Sequence, residues 1–190
     1  MLNRRPLLDY LLQDRPENLL AVASLGSPAW DLTSIGEHDG NFCFVGAMGQ
    51  AGPFALGLAM ARPQHRVVLF AGDGELLMGI GALTCIANQQ PKNLVIIALD
   101  NGCYSETGGQ PTATSGHSDL GTIASGCGFQ RVTTISNPKE KEVLKHTMLH
   151  QPGPVFANVK IASGRDPLAL PQDLDGAAAI NRFRQFTGVS

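Results

Sequence analysis

Two runs in this chain, VVLFAG at 67–72 and LVIIALD at 94–100, are apolar without alternation and stop abruptly at glycine or acid. A strand with one wet face alternates apolar and polar residues, so an unbroken run implies cover on both faces. Strands of that kind belong to parallel sheets, whose crossovers lay helices on both sides. The expected strands are 19–24, 41–45, 66–71, 94–99, 129–134 and 154–160. Helix-like segments separate them at 27–36, 50–61, 75–89, 119–126 and 138–149, with others at 3–14 and 176–186. This pattern predicts an α/β fold, a doubly wound and mostly parallel sheet with helices on both faces.

At 190 residues the chain suffices for one such domain with a substantial core, and is short for two. The expected domain spans 1–160, and 161–190 reads as a C-terminal linker, ASGRDPLALPQDLDG, followed by a short helix. A net charge of −2 argues against nucleic acid or an anionic membrane as partner. No apolar run approaches the ~20 residues of a membrane span, and the N-terminus lacks a signal-peptide pattern. The four cysteines, at 43, 85, 103 and 127, form no CxxC pair. They read as free thiols of a reducing compartment, so a cytoplasmic location is expected.

Right-handed crossovers gather the strand C-termini, and the loops leaving them, along one edge where ligands bind. Three unusual loops fall there: GAMGQAG at 46–52, GDGE at 72–75, and DNGCYSETGGQPTATSGHSD at 100–119. The last is long for a connection without structure of its own. In the second, a lone carboxylate, Asp73, sits between two glycines at the end of a buried strand. Glycine lets something approach the backbone closely, and the helix start beyond it favours an anion. The carboxylate favours a cation, and a metal–phosphate complex meets all three conditions. Asn101 follows at the end of the next strand. A carboxylate, an amide oxygen and a free carbonyl make a hard oxygen set suited to Mg²⁺ or Ca²⁺.

GDG followed by 26 residues and an asparagine resembles the signature of thiamine diphosphate enzymes, and the likeness runs from about Gly26 to Lys160. Within that superfamily, VGAMGQAGPFALGLAMA, GDGELLMGIGALTCIA and DNGCYSETGGQPT are most similar to one group. These are the diphosphate-binding beta subunits of phosphonopyruvate and sulfopyruvate decarboxylases. The resemblance implies a metal held by Asp73, Asn101 and the backbone carbonyl of Cys103. It places the diphosphate on Gly72, Asp73, Gly74 and Glu75, with Tyr104 among the cofactor contacts. Gly46, Ala47 and Met48 then form the loop that bends the cofactor, with Met48 propping its two rings.

The implied reaction is decarboxylation of a small 2-oxo acid. Met48 and His117 are the expected catalytic residues, His117 because its ordinary pKa suits proton transfer. Tyr104, Ser105, Glu106, Thr107, Gln110 and Thr112 are further polar side chains of the long loop. Residues 93–130 carry no lysine or arginine, so an anionic substrate tail must be held by amides, hydroxyls or another chain. The family also needs a glutamate from a pyrimidine-binding domain, and none of the six glutamates here suits that place. A hetero-oligomer with a pyrimidine-binding alpha subunit is therefore expected. Other readings are the thiamine subunit of an acetolactate-synthase-like carboligase or of a 2-oxo acid:ferredoxin oxidoreductase, and a non-catalytic cofactor-binding subunit.

Overall fold

The computed structural model describes residues 1–164, 166–170 and 175–188. Six strands form one wholly parallel sheet: β1 (Leu19–Ser24), β2 (Asn41–Phe44), β3 (Arg66–Gly72), β4 (Leu94–Asp100), β7 (Arg131–Ile135) and β8 (Val155–Lys160). Their order across the sheet is β2-β1-β3-β4-β8-β7. A two-stranded hairpin, β5 (Cys103–Tyr104) and β6 (Gln110–Pro111), stands apart. The helices are α1 (Arg4–Leu12), α2 (Ser27–Ser34), α3 (Ala51–Ala61), α4 (Asp73–Met78), α5 (Ala82–Gln89), α6 (Leu120–Gly126), α7 (Lys141–His150) and α8 (Gly176–Phe186).

Successive side chains of a strand point to opposite faces, and here both faces are dry. Val68, Phe70, Val95 and Ile97 pack with Leu8 and Leu11 of α1, Leu32 of α2, and Leu144 and Met148 of α7. Val67, Leu69, Leu94 and Ile96 pack on the other side with Ala55 of α3, Ile86 of α5 and Ala124 of α6. All seven residues of β4 are buried. Double cover is thus the physical reason the two central runs lack alternation. The helix α1 is tied to α2 by a buried ion pair: Arg4 and Arg5 both reach the carboxylate of Asp31.

Several expected boundaries move, each for a local reason. The helix expected over 75–89 is two helices, α4 and α5, broken at Gly79–Gly81. Gly79 meets the turn at Gly49, and a Cβ on Gly79 would lie 2.7 Å from the Gly49 carbonyl carbon. The helix expected from 138 opens as a 3-10 turn, Pro138–Glu140, under an Asn137–Glu140 capping box. The strand β7 begins at Arg131 because Phe129 belongs to the turn closing α6, its amide bonded to the Ala124 carbonyl. The 100–119 segment is ordered: it holds the hairpin and two 3-10 turns, Ser105–Thr107 and Ala113–Ser115. Of the expected linker, residues 165 and 171–174 lie outside the described residues. Beyond it α8 packs Phe183 on Phe42 of the edge strand, ring centroids 5.1 Å apart. Among the described residues no helix is long and apolar enough to cross a membrane.

From β1 the chain goes out to β2 and then crosses back to β3 on the other side of β1. That reversal opens a crevice at the carboxyl ends of β1 and β3.

Candidate functional site

Asp73 lies at that edge, the first residue after β3. Gly72 is in register with Leu99 of β4, which brings Asp73 and Asp100 to neighbouring strand ends. Asp73 is 1% exposed. Its Oδ2 accepts hydrogen bonds from the hydroxyls of Thr112 at 2.5 Å and Thr114 at 3.0 Å. The Thr114 hydroxyl also lies 2.8 Å from Asp100 Oδ1, so one hydroxyl proton serves two carboxylates. Burial raises the pKa of Asp73 above the ordinary carboxylate value, and the charge of Asp100 adds to it. The two threonine hydroxyls and the backbone amide oppose that rise. A buried carboxylate beside a second one is costly in isolation, and a cation at this edge relieves the cost.

Asn101 follows β4 at the same edge and is half-buried. Its Oδ1 accepts from the Cys103 amide at 3.1 Å, and its Nδ2 donates to Ser105 Oγ at 2.8 Å. This turn fixes the direction of the side chain; Asn101 shares no hydrogen bond with Asp73. Cys103 stands opposite Pro111 in the hairpin. The flanking bond from the Thr112 amide to the Gly102 carbonyl makes theirs a non-hydrogen-bonded pair, so the Cys103 carbonyl points away from β6.

The two glycines around Asp73 have different reasons. Gly72 has φ −69° and ψ 155°, which any residue adopts, and a Cβ there would meet nothing within 4 Å. Its amide reaches Ser24 Oγ at 3.3 Å, linking β3 to the end of β1. Gly74, by contrast, is filled from within by the ring of Tyr104. Glu75 is buried and turns to the start of α3, where its Oε1 accepts from the Ala51 amide at 3.1 Å. Its second oxygen is buried without a hydrogen-bond partner among the described residues. The acid next to the GDG motif thus ties α4 to the helix that follows the methionine loop.

That loop is open to solvent. Val45, Gly46, Ala47 and Met48 are exposed, with Met48 at 36%. Leu25 at the end of β1 and Met78 at the end of α4 are exposed as well. His117 is exposed in the segment after β6, and the network around Asp73 does not include it.

Two partners of this edge escaped the sequence. In the sequence Asp100 is the acid that ends an apolar run, and Lys160 is the end of an expected strand. The structure pairs Asp100 with Lys160 in register, and the ammonium contacts Asp100 Oδ2. Strand order alone would have revealed the pair, and the residues do not state that order.

Comparison with known proteins agrees with this architecture. Residues 33–159 match the family described as thiamine pyrophosphate enzyme, C-terminal TPP binding domain. The chain is 37% identical over 167 residues to the sulfopyruvate decarboxylase subunit beta of Methanothermobacter thermautotrophicus, covering 88% of this chain and 86% of that one. It is 34% identical over 180 residues to the phosphonopyruvate decarboxylase of Streptomyces viridochromogenes, covering 94% of this chain and 45% of that one. The chain therefore spans about half the length of this second relative. In fold it is similar to the 2-oxoglutarate:ferredoxin oxidoreductase of Magnetococcus marinus, with a TM-score of 0.66 at 19% identity, covering 95% of this chain and 74% of that one. The chain belongs to the thiamine pyrophosphate enzyme family, whose C-terminal TPP-binding domain makes up most of its sheet.

Proposed function

We propose that this chain is the diphosphate- and Mg²⁺-binding subunit of a thiamine diphosphate-dependent 2-oxo acid decarboxylase, completed by a pyrimidine-binding partner subunit. The observation that carries the reading is the pairing of Asp73, a buried carboxylate held by two hydroxyls, with the open backbone of Gly72, where a Cβ would meet nothing within 4 Å. A backbone free of side chains, a helix start and an anionic oxygen suit a diphosphate bridged to a cation. Asp73, Asn101 and the Cys103 carbonyl would hold the metal, with Ca²⁺ the alternative ion. The backbone from Gly72 to Glu75 would hold the diphosphate, and Gly46, Ala47 and Met48 the ring end, with Tyr104 behind Gly74. When bound, thiamine diphosphate supplies the sink for the electron pair left as carbon dioxide departs.

The chain's own contribution is placement and exclusion of water. Asp73 is oriented before any ligand arrives, because both threonine hydroxyls converge on the same oxygen. Met48 presents an apolar surface at the rim. His117, exposed in the segment next to the hairpin, is the proposed proton donor. Exposed Leu25, Val45, Met48 and Met78 form an apolar border that a partner subunit would cover. The beta-subunit name of the methanogen relative supports a two-chain assembly.

The test is an assay of the purified chain with thiamine diphosphate and Mg²⁺ against pyruvate, phosphonopyruvate and sulfopyruvate, with and without a pyrimidine-binding chain. Turnover is expected only with both chains. Sustained decarboxylation by this chain alone would refute the need for a partner, and acetolactate or a reduced ferredoxin as product would move the assignment to the carboligase or oxidoreductase readings.

A further inference from the structure

Two carboxylates stand side by side at the ligand edge, yet the structure treats them differently. Asp73 receives neutral donors only, the hydroxyls of Thr112 and Thr114, both on Oδ2. Asp100 has a cationic partner as well: the Gly102 amide at 3.2 Å and the Thr114 hydroxyl reach Oδ1, and the Lys160 ammonium holds Oδ2. Asp100 is 2% exposed in its side chain and Lys160 29%, so the pair sits at the boundary of the core and is incompletely screened by water. Asp100 and Lys160 face one another in register on β4 and β8, so this contact is built into the sheet.

Resting on the function proposed above, we propose that Lys160 withholds Asp100 from the metal, so that the divalent ion is retained only together with the diphosphate. A hard cation gathers carboxylates wherever they converge, and each added carboxylate strengthens its binding. Here the second carboxylate is already paired, and the ammonium also repels an incoming cation. Asp73 alone then offers one negative charge, and the remaining charge and oxygens must come from the cofactor. Lys160 is a positioning residue in this scheme, acting through Asp100. It makes the site hold metal and diphosphate as one unit, and it prevents a bare ion from occupying the edge.

The test uses Mn²⁺ as probe, followed by calorimetry and by loss of the free-ion paramagnetic resonance signal. The full chain is titrated with and without thiamine diphosphate as wild type, Lys160→Met, Asp100→Asn and the double variant. Wild type should bind Mn²⁺ at least tenfold more tightly when the cofactor is present. Lys160→Met should bind Mn²⁺ alone at least tenfold more tightly than wild type does, and gain correspondingly less from the cofactor. The double variant should return to the wild-type pattern, and Asp100→Asn alone, which leaves the ammonium unpaired, should bind Mn²⁺ no more tightly than wild type. Unchanged Mn²⁺ affinity in Lys160→Met would overturn the proposal. A double variant that keeps the tight Mn²⁺ binding of Lys160→Met would overturn it too, because the gain would then owe nothing to Asp100. If Lys160→Met loses its far-UV spectrum, Lys160→Gln takes its place in the same titrations. Failure of the underlying reading looks different: Asp73→Ala would then keep wild-type affinity for Mn²⁺ with cofactor.

Discussion

The ring of Tyr104 occupies the place a side chain at Gly74 would take: a Cβ there would lie 2.6 Å from Tyr104 Cδ1. The second glycine of the GDG motif is therefore explained by the protein's own hairpin, and only the first, Gly72, is left open to a ligand.

This difference separates two otherwise similar substitutions. Gly74→Ala should destabilise the fold by about 1–3 kcal/mol, the usual cost of overpacking, and Tyr104→Ala in the same chain should recover most of it. Gly72→Ala should leave the stability within about 0.5 kcal/mol of wild type, as is typical of open positions, while weakening thiamine diphosphate binding at least tenfold. Calorimetric unfolding and cofactor titration read the two effects. Equal destabilisation by both would contradict the account of Gly74.

Removing the carboxylate at the edge should abolish binding without unfolding the sheet. Asp73→Ala is expected to lose thiamine diphosphate and Mg²⁺ binding by calorimetry while its far-UV spectrum stays that of wild type. The side chain is buried, but its neighbours are hydroxyls that can pair with one another, as Thr112 and Thr114 already do at 2.9 Å.

Met48 should matter to turnover more than to affinity. The side chain is 36% exposed and contributes little to the core, so Met48→Ala should leave stability unchanged. In the reconstituted enzyme kcat should fall at least tenfold, with cofactor affinity within about threefold of wild type. Wild-type kcat would make Met48 an ordinary surface methionine.

The anchor of α1 offers a stability test far from the site. Asp31 is buried and takes both Arg4, itself 6% exposed, and Arg5 at 3.1 Å. Asp31→Ala leaves the buried Arg4 guanidinium with only its longer contact to Asp166, at 3.9 Å, and removing the close partner of a buried charge costs up to about 3–5 kcal/mol. A shift in the urea midpoint measures it, and a loss below about 1 kcal/mol would mean that water replaces the carboxylate.

Thiol reactivity should follow burial. Burial pushes the Cys43 thiol above its ordinary pKa, only partly offset by the Thr33 hydroxyl, whereas Cys85 is exposed. A raised pKa means less thiolate at pH 8, so an aromatic disulfide reagent should modify Cys85 well before Cys43. Raising the pH should speed the Cys43 reaction further, and denaturant should reveal four thiols in all. Equal rates in the folded chain would contradict this ordering.

Much of this protein was legible in local pattern. Unbroken apolar runs at 67–70 and 94–99 determined a sheet covered on both faces, because an alternating strand cannot be dry on both sides. Glycine and acid at the ends of those runs determined where the loops at the strand carboxyl ends begin, and the spacing from Gly74 to Asn101 left room for a helical crossover between two strands, which the structure builds from α4 and α5. What tertiary structure alone decided is the order of strands and the close approaches between segments remote in sequence. The helix after GDG breaks at Gly79 because the Gly49 turn packs on its backbone, and no periodicity within 75–89 records that contact. Gly74 answers to a tyrosine delivered by a hairpin beyond the next strand. Lys160 meets Asp100, 60 residues away, because the chain first sends β7 to the outer position and then inserts β8 between it and β4. Periodicity is a property of neighbours along the chain, whereas register between distant strands is selected by the packing of the whole sheet, and the charge balance of the ligand edge follows from that selection.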